Sequence, residues 1–144
     1  MSGYRFRGDV AIADAAFDAW GATLEELFVA AADATTNTMV ENLEAIEERQ
    51  CRPIRLEEER ADLLLFRLLE ELIYFKDAEG LLLRVPATRI HRRESTLVLE
   101  AEARGEPIDP LRHRLQADVK AVTLHRLRVE QTPRGWEASV VLDI

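Results

Sequence analysis

Residues 62–75, DLLLFRLLEELIYF, decide the fold of this chain. Apolar side chains fill most of the stretch, and the few polar residues recur in one narrow strip at helical spacing. A helix that is apolar around most of its circumference is buried in a protein core. The stretch therefore predicts a central helix over residues 63–75, with Asp62 as its N-cap. Packing alone accounts for this pattern, and no cofactor is needed to explain it.

A second helix and a strand are predicted before this core helix. Thr23 and Glu26 have the spacing of a capping box, and apolar residues follow at helical spacing to about residue 41. Residues 12–20 alternate instead, with small apolar side chains on one face and the carboxylates of Asp14 and Asp18 on the other. This alternation predicts a strand against which a helix can pack closely.

The second half of the chain alternates with a period of two. Residues 81–85, 96–104, 121–131 and 136–144 read as strands, and a change of parity near His125 or Arg126 predicts a bulge. Two helices followed by hairpin-connected strands indicate an α+β fold. We expect one domain over residues 1–144, in two layers, with both main helices packed on one face of a mostly antiparallel sheet.

Composition narrows the class of protein. The 144 residues suit one domain and carry a net charge of −8, which argues against a generic nucleic-acid coat or a protein that binds anionic membranes. Residues 84–128 are the exception, with ten bases against six acids. The longest apolar run is too short to span a membrane, and a single cysteine excludes an internal disulfide. A cytoplasmic location is the expectation.

Few residues have the spacing of a catalytic motif. The sequence has neither a glycine-rich phosphate loop nor a nucleophile elbow. His91, His113 and His125 lack the spacing of a zinc site, and we predict each to be a partly exposed strand or loop histidine.

The carboxylates offer one candidate cation site. Asp14 and Asp18 share a strand face but lie about 13 Å apart, so they cannot bind one ion together. Asp143 precedes Ile144, so its side chain and the terminal carboxylate are covalently held close to each other. Near a third carboxylate such groups suit Ca²⁺, Mg²⁺ or Mn²⁺. Spacing alone favours the simpler interpretation, a polar strand end.

Four blocks of sequence resemble a known family. They are AWGATLEELF at 19–28, DLLLFRLLEELIYFKDAEG at 62–80, residues 105–130 with GEPIDPLRH and DVKAVTLHRLRVE, and WEASVVLDI at 136–144. In these blocks, which together span nearly the whole chain, the sequence resembles the archease family, small proteins linked to tRNA splicing. The last two blocks are the more specific, since a strand and a turn alone do not require those residues.

The resemblance implies a function and a set of site residues. Archeases are accessory factors that promote guanylylation and multiple turnover of an RtcB-type RNA ligase, so tRNA is reached indirectly, through the ligase, and the chain itself is not an enzyme. The family also binds a divalent cation. Here the resemblance implies Ca²⁺ first, with Mg²⁺ or Mn²⁺ as alternatives, held by Asp14, Asp143 and the terminal carboxylate of Ile144. It further implies a partner-binding role for Lys120.

One departure and two alternatives remain. The family usually has His-Thr-Ala-Asp leading into the second strand, whereas this chain has Ala11-Ile12-Ala13-Asp14 and so lacks the histidine.

A stand-alone metal-dependent hydrolase could use the same carboxylates, and its activity would need no ligase. A general chaperone-like module without metal would instead protect unrelated proteins from aggregation, with or without chelator.

Overall fold

The computed structural model describes residues 1–8 and 14–144. The described residues form two α-helices, α1 (Leu24–Met39) and α2 (Ala61–Glu79), and a short 3₁₀ turn at Leu43–Ala45. The strands are β1 (Gly3–Arg7), β2 (Asp14–Gly21), β3 (Gln50–Glu58), β4 (Leu81–Arg84), β5 (Thr88–Arg93), β6 (Thr96–Pro107), β7 (Ala121–Val122), β8 (Arg128–Thr132) and β9 (Gly135–Asp143).

The strands form two antiparallel sheets of similar design. In the first, β1, β2 and β9 are neighbours, and β7 and β8 share the far edge of β9. In the second, β3 pairs with β6, and β4 and β5 share the far edge of β6. Each sheet thus has a long central strand with one continuous neighbour and one neighbour divided in two. The first sheet brings the beginning of the chain next to its end.

Both helices contact strands of both sheets. Helix α1 packs on β1, β2 and β9 of the first sheet and on β4 and β5 of the second, and α2 likewise contacts strands of each. The largest side chains buried between these layers are Phe17, Phe28, Leu27, Leu64, Leu65, Leu68, Leu69, Leu81, Leu82, Leu99 and Leu142. None of the helices in the described residues is long and apolar enough to cross a membrane.

The α+β class and the two helices are confirmed. The ends of the helices differ in part from the prediction. The Thr23 cap of α1 forms as predicted, since Thr23 Oγ1 accepts from the Glu26 amide at 3.1 Å. Glu26 reaches back to the Ala22 amide, one residue before the N-cap. Helix α2 begins at Ala61, with Arg60 rather than Asp62 at the N-cap. It continues to Glu79 and ends at Gly80, whose φ of 66° suits glycine.

The strands differ from the prediction in three places. They divide into two sheets rather than one, because alternation reports which face of a strand is buried but not which strand lies beside it. Strand β5 was not predicted, because residues 89–93 are mostly basic; it forms by pairing with β6, with Ile90 opposite Leu99. The bulge predicted near His125 or Arg126 is not what forms: β7 and β8 are separate strands joined by a turn over residues 123–127, in which Arg126 has a φ of 58°.

Candidate functional site

Asp14 and Asp143 face each other at one end of the first sheet. They are directly opposed in the register of β2 and β9, so their Cβ atoms are about 4.5–5.5 Å apart. Both residues are half-buried and lie on the outer face of the sheet, opposite to the buried side chains of Phe17 and Val140. Strand pairing thus brings together two aspartates from opposite ends of the sequence.

Neither carboxylate has a neutralising partner among the described residues. Among residues 1–8 and 14–144, no hydrogen bond or ion pair reaches the side chain of Asp14 or of Asp143. Like charges directly opposed across a strand pair destabilise the sheet. A cation bound between them would remove this repulsion.

Asp18 lies on the same face of β2 as Asp14, but its carboxylate is surrounded by hydrogen-bond donors. Its carboxylate accepts a hydrogen bond from the Ser139 hydroxyl at 2.8 Å. The guanidinium groups of Arg5 and Arg7 lie 3.4 and 4.0 Å from its oxygens. Neighbouring side chains therefore pair with the carboxylate of Asp18, whereas the carboxylate of Asp14 has no such partner among the described residues.

The third expected metal ligand is the carboxylate of Ile144. Ile144 is half-buried, packs against the core and follows Asp143 directly. In the part of the chain that the structure describes, no group of three or more His, Cys, Asp or Glu side chains could hold a metal ion. The two opposed aspartates are therefore not by themselves a metal site, and the role expected of Ile144 stays a prediction. A donor set of carboxylate oxygens fits the hard cations Ca²⁺, Mg²⁺ and Mn²⁺.

Lys120 lies beside the same pair of strands. Its main-chain N–H donates to the Asp143 carbonyl at 2.8 Å, and the residue is exposed. Within the described residues, its ammonium has no hydrogen-bonded or ion-paired partner. The fold thus places an available cationic side chain on a residue whose backbone is fixed to Asp143.

The segment leading to Lys120 has almost no regular structure, but it is bonded along its length to the end of α1. The amides of Gln116 and Ala117 donate to the carbonyls of Met39 and Thr38 at 2.8 and 3.1 Å. The Glu41 amide donates to the Arg114 carbonyl. Main-chain hydrogen bonds therefore replace secondary structure in fixing residues 114–117.

A buried carboxylate anchors the start of this segment. Glu106 is 2% exposed and accepts hydrogen bonds from Arg112, from His113 and from the Glu47 amide. Burial alone would raise the pKa of Glu106, but these three donors hold it at about 2, below the ordinary 4.5. Gly105 is required next to it, because a Cβ there would lie 1.8 Å from the Leu82 carbonyl oxygen. These contacts give the GEPIDPLRH block a structural role.

His113 differs from its predicted environment. Its side chain is fully buried, so the expectation of a partly exposed histidine is wrong at this position. The Asp109 amide donates to Nδ1 at 2.9 Å, so the ring proton lies on Nε2, which donates to Glu106 at 3.0 Å. His91 and His125 are exposed, as predicted. Sequence reasoning could not find the buried role of His113, because its partner Glu106 resembles an ordinary acid at the end of a strand.

A groove of about 350 Å³ opens beside the paired aspartates. Asp14 lines it together with the side chains of Phe6, Arg7, Asn37 and Gln116. One wall thus carries the candidate metal ligand and another carries the end of α1. The family's histidine before Asp14 is absent from this chain, which has Ala11-Ile12-Ala13 there. These three residues lie outside the described part of the chain.

Comparisons with known proteins agree on one family. The chain matches the model of the Archease protein family over residues 4–144. It is 38% identical to protein archease of Thermococcus kodakarensis over 133 residues, covering 92% of this chain and 93% of that protein. The solution structure of Methanobacterium thermoautotrophicum protein 1598 is similar at a TM-score of 0.84 and 33% identity, covering 99% of both chains. The crystal structure of an archease from Thermotoga maritima, described as a possible chaperone, has a TM-score of 0.61 at 19% identity, covers 97% of this chain and 98% of that one, and shares the fold.

Proposed function

Because the chain belongs to the archease family, we propose that it is a cytoplasmic accessory protein that activates an RtcB-type RNA ligase in tRNA splicing. It promotes guanylylation and multiple turnover of the ligase and does not itself join RNA. One observation carries the proposal beyond family membership: Asp14 and Asp143 face each other without a partner among the described residues, beside the exposed Lys120.

The proposal assigns a task to each of these residues. Asp14 and Asp143, with the carboxylate of Ile144, hold a divalent cation, for which Ca²⁺ is the first candidate. When bound, the cation supplies positive charge at this end of the sheet. Lys120 contacts the ligase or a phosphate group at the ligase's nucleotide site. The groove beside Asp14 leaves room for such a group.

Docking is assigned to part of the basic stretch. Arg84 pairs with Asp33, and Arg112 pairs with Glu106, so these two bases serve the fold. Strand β5 exposes four basic side chains, Arg89, His91, Arg92 and Arg93, of which Arg89 also lies 3.8 Å from Glu100. We expect this strand to face the phosphates or acidic residues of the ligase–RNA complex, with an affinity that falls as salt rises.

Multiple-turnover ligation of a nicked RNA by an RtcB-type ligase tests the proposal. The wild-type protein should raise the number of turnovers, and Asp143→Asn should abolish the increase because the cation loses a ligand. Asp18→Asn is the matched control: it removes a carboxylate from the same face and should retain activation. Equal turnover with and without the protein would disprove activation, and equal turnover with Asp143→Asn and wild type would disprove the role of the cation.

Two further measurements separate the alternatives. Phosphodiesterase or phosphatase activity without any ligase, lost in Asp14→Asn, would replace the proposal with a metal-dependent hydrolase. Protection of unrelated proteins from aggregation, unchanged by chelator and accompanied by no effect on ligation, would replace it with a general chaperone. If the proposal holds, we expect neither result.

A further inference from the structure

Lys76 and Lys120 are the only lysines in the chain, and the fold brings the segments that carry them together. Lys76 lies in the last turn of α2, and its side chain is 8% exposed. Its ammonium reaches three oxygens: Asp118 Oδ1 at 2.5 Å, the Val119 carbonyl at 2.6 Å and Asp77 Oδ1 at 2.9 Å. An ammonium has three donors, so this group is fully satisfied.

Two of the three acceptors lie immediately before Lys120. Val119 is fully buried, and its carbonyl is held by Lys76. On the other side, the Lys120 amide donates to the Asp143 carbonyl at 2.8 Å. The main chain at Lys120 is therefore fixed between α2, through Val119, and β9, through Asp143.

The charge of Lys76 is stable in this position. Burial lowers the pKa of the ammonium, but its hydrogen bonds to Asp118 and Asp77 outweigh burial and raise it above the ordinary value. Without the ammonium, the buried Val119 carbonyl would lose its donor and Asp118 would lose its anchor. A buried carbonyl without a partner is costly, so the segment would shift towards water.

We infer that Lys76 is a positioning residue: its buried ammonium holds residues 118 and 119 so that Lys120 stays beside Asp143. The contribution to ligase activation rests on the proposed function, whereas the placement of Lys120 does not.

Amide hydrogen exchange measured by NMR tests the placement without any ligase. In Lys76→Met the Lys120 amide should exchange at least about tenfold faster than in wild type, as expected when a buried carbonyl loses its donor. The Leu99 amide at the centre of β6 should keep its wild-type rate and reports whether the fold survives. Unchanged protection of Lys120 in a folded Lys76→Met variant would overturn the inference.

A milder matched pair covers the case in which Lys76→Met does not fold. Asp118→Ala and Asp77→Ala each remove one carboxylate from the same ammonium, but only Asp118 lies on the segment that leads to Lys120. Asp118→Ala should speed exchange at Lys120, and Asp77→Ala should not. Equal effects of the two changes would contradict the inference.

A double-mutant cycle in the ligation assay tests the functional part. If Lys76 acts through Lys120, Lys76→Met should reduce activation, and the double variant with Lys120→Ala should be no worse than Lys120→Ala alone. Losses that multiply would mean that Lys76 acts elsewhere. Absence of activation by the wild type would disprove the proposed function, while hydrogen exchange would still decide the placement.

Discussion

Asp14 and Asp18 occupy the same face of the same strand, four residues apart, yet their surroundings are opposite. Asp18 has two arginines and a serine hydroxyl around it, whereas Asp14 has no partner in the described residues and faces another carboxylate. The buried Glu106 extends the contrast, since three donors surround it. A carboxylate that serves the fold is paired by the fold. Asp14 and Asp143 differ from other unpaired surface carboxylates because they face each other, and we expect an outside group there.

The largest expected effect comes from Glu106, the most completely paired carboxylate. Glu106→Gln should lower the free energy of unfolding by roughly 1.5–3 kcal/mol, because it removes the charge of a buried carboxylate that accepts three hydrogen bonds. Urea denaturation measures the loss. Glu102→Gln, at an exposed position of the same strand, should change stability by about 0.5 kcal/mol or less. Equal losses would mean that Glu106 is not the structural anchor described here.

Acid should reproduce part of that loss without a mutation. The pKa of Glu106 is about 2 in the folded protein and near 4.5 in the unfolded chain, so the unfolded chain takes up the proton first as pH falls. The stability contributed by Glu106 is complete above about pH 5 and is lost as the pH falls towards 2. The decline between pH 5 and 2 should be shallower in Glu106→Gln. The same decline in both proteins would contradict the assigned pairing.

The unpaired carboxylates should respond to a divalent cation instead. With Ca²⁺ at ten times its dissociation constant, the free energy of unfolding should rise by about 1.4 kcal/mol through binding to the folded state alone. Asp14→Asn should abolish this gain and Asp18→Asn should retain it. Thermal unfolding with and without chelator gives the comparison, and a gain that survives Asp14→Asn would place the cation elsewhere.

The smallest expected effect has opposite signs at the two aspartates. Without divalent cations, Asp14→Asn should stabilise the protein by about 0.5 kcal/mol, because it removes repulsion across the strand pair. Asp18→Asn should destabilise it by about 0.5–1 kcal/mol, because it removes partly exposed ion pairs. Parallel denaturation curves in chelator measure both. The same sign for both variants would refute the difference between the two positions.

Sequence patterns predicted the elements better than their partners. The apolar stretch at 62–75 and the capping box at Thr23 identified both helices, because these signals are local. Strand β5 was not predicted, because residues 88–93 form a strand through pairing with β6 and not through their own composition. The division into two sheets was not predicted for the same reason, because contacts between residues distant in sequence determine which strands are neighbours.

The candidate site could be predicted only in part. Composition and spacing favoured a polar strand end at Asp143, and only the family resemblance implied a role there as a metal ligand. The register that places Asp14 opposite Asp143 depends on β2 and β9 pairing across the length of the chain. The buried roles of Lys76 and His113 left no trace in the pattern, because a lysine near a helix end and a loop histidine are ordinarily exposed.

Because the chain has only two lysines, a reagent that reacts with amines can be directed to the exposed Lys120. Of the two lysine side chains, Lys76 is buried with every donor engaged, so an acylating reagent should modify Lys120 in preference to Lys76. A bifunctional cross-linker would therefore attach at one internal position, next to Asp143, and its partner residue would report directly which surface of another protein reaches that end of the sheet.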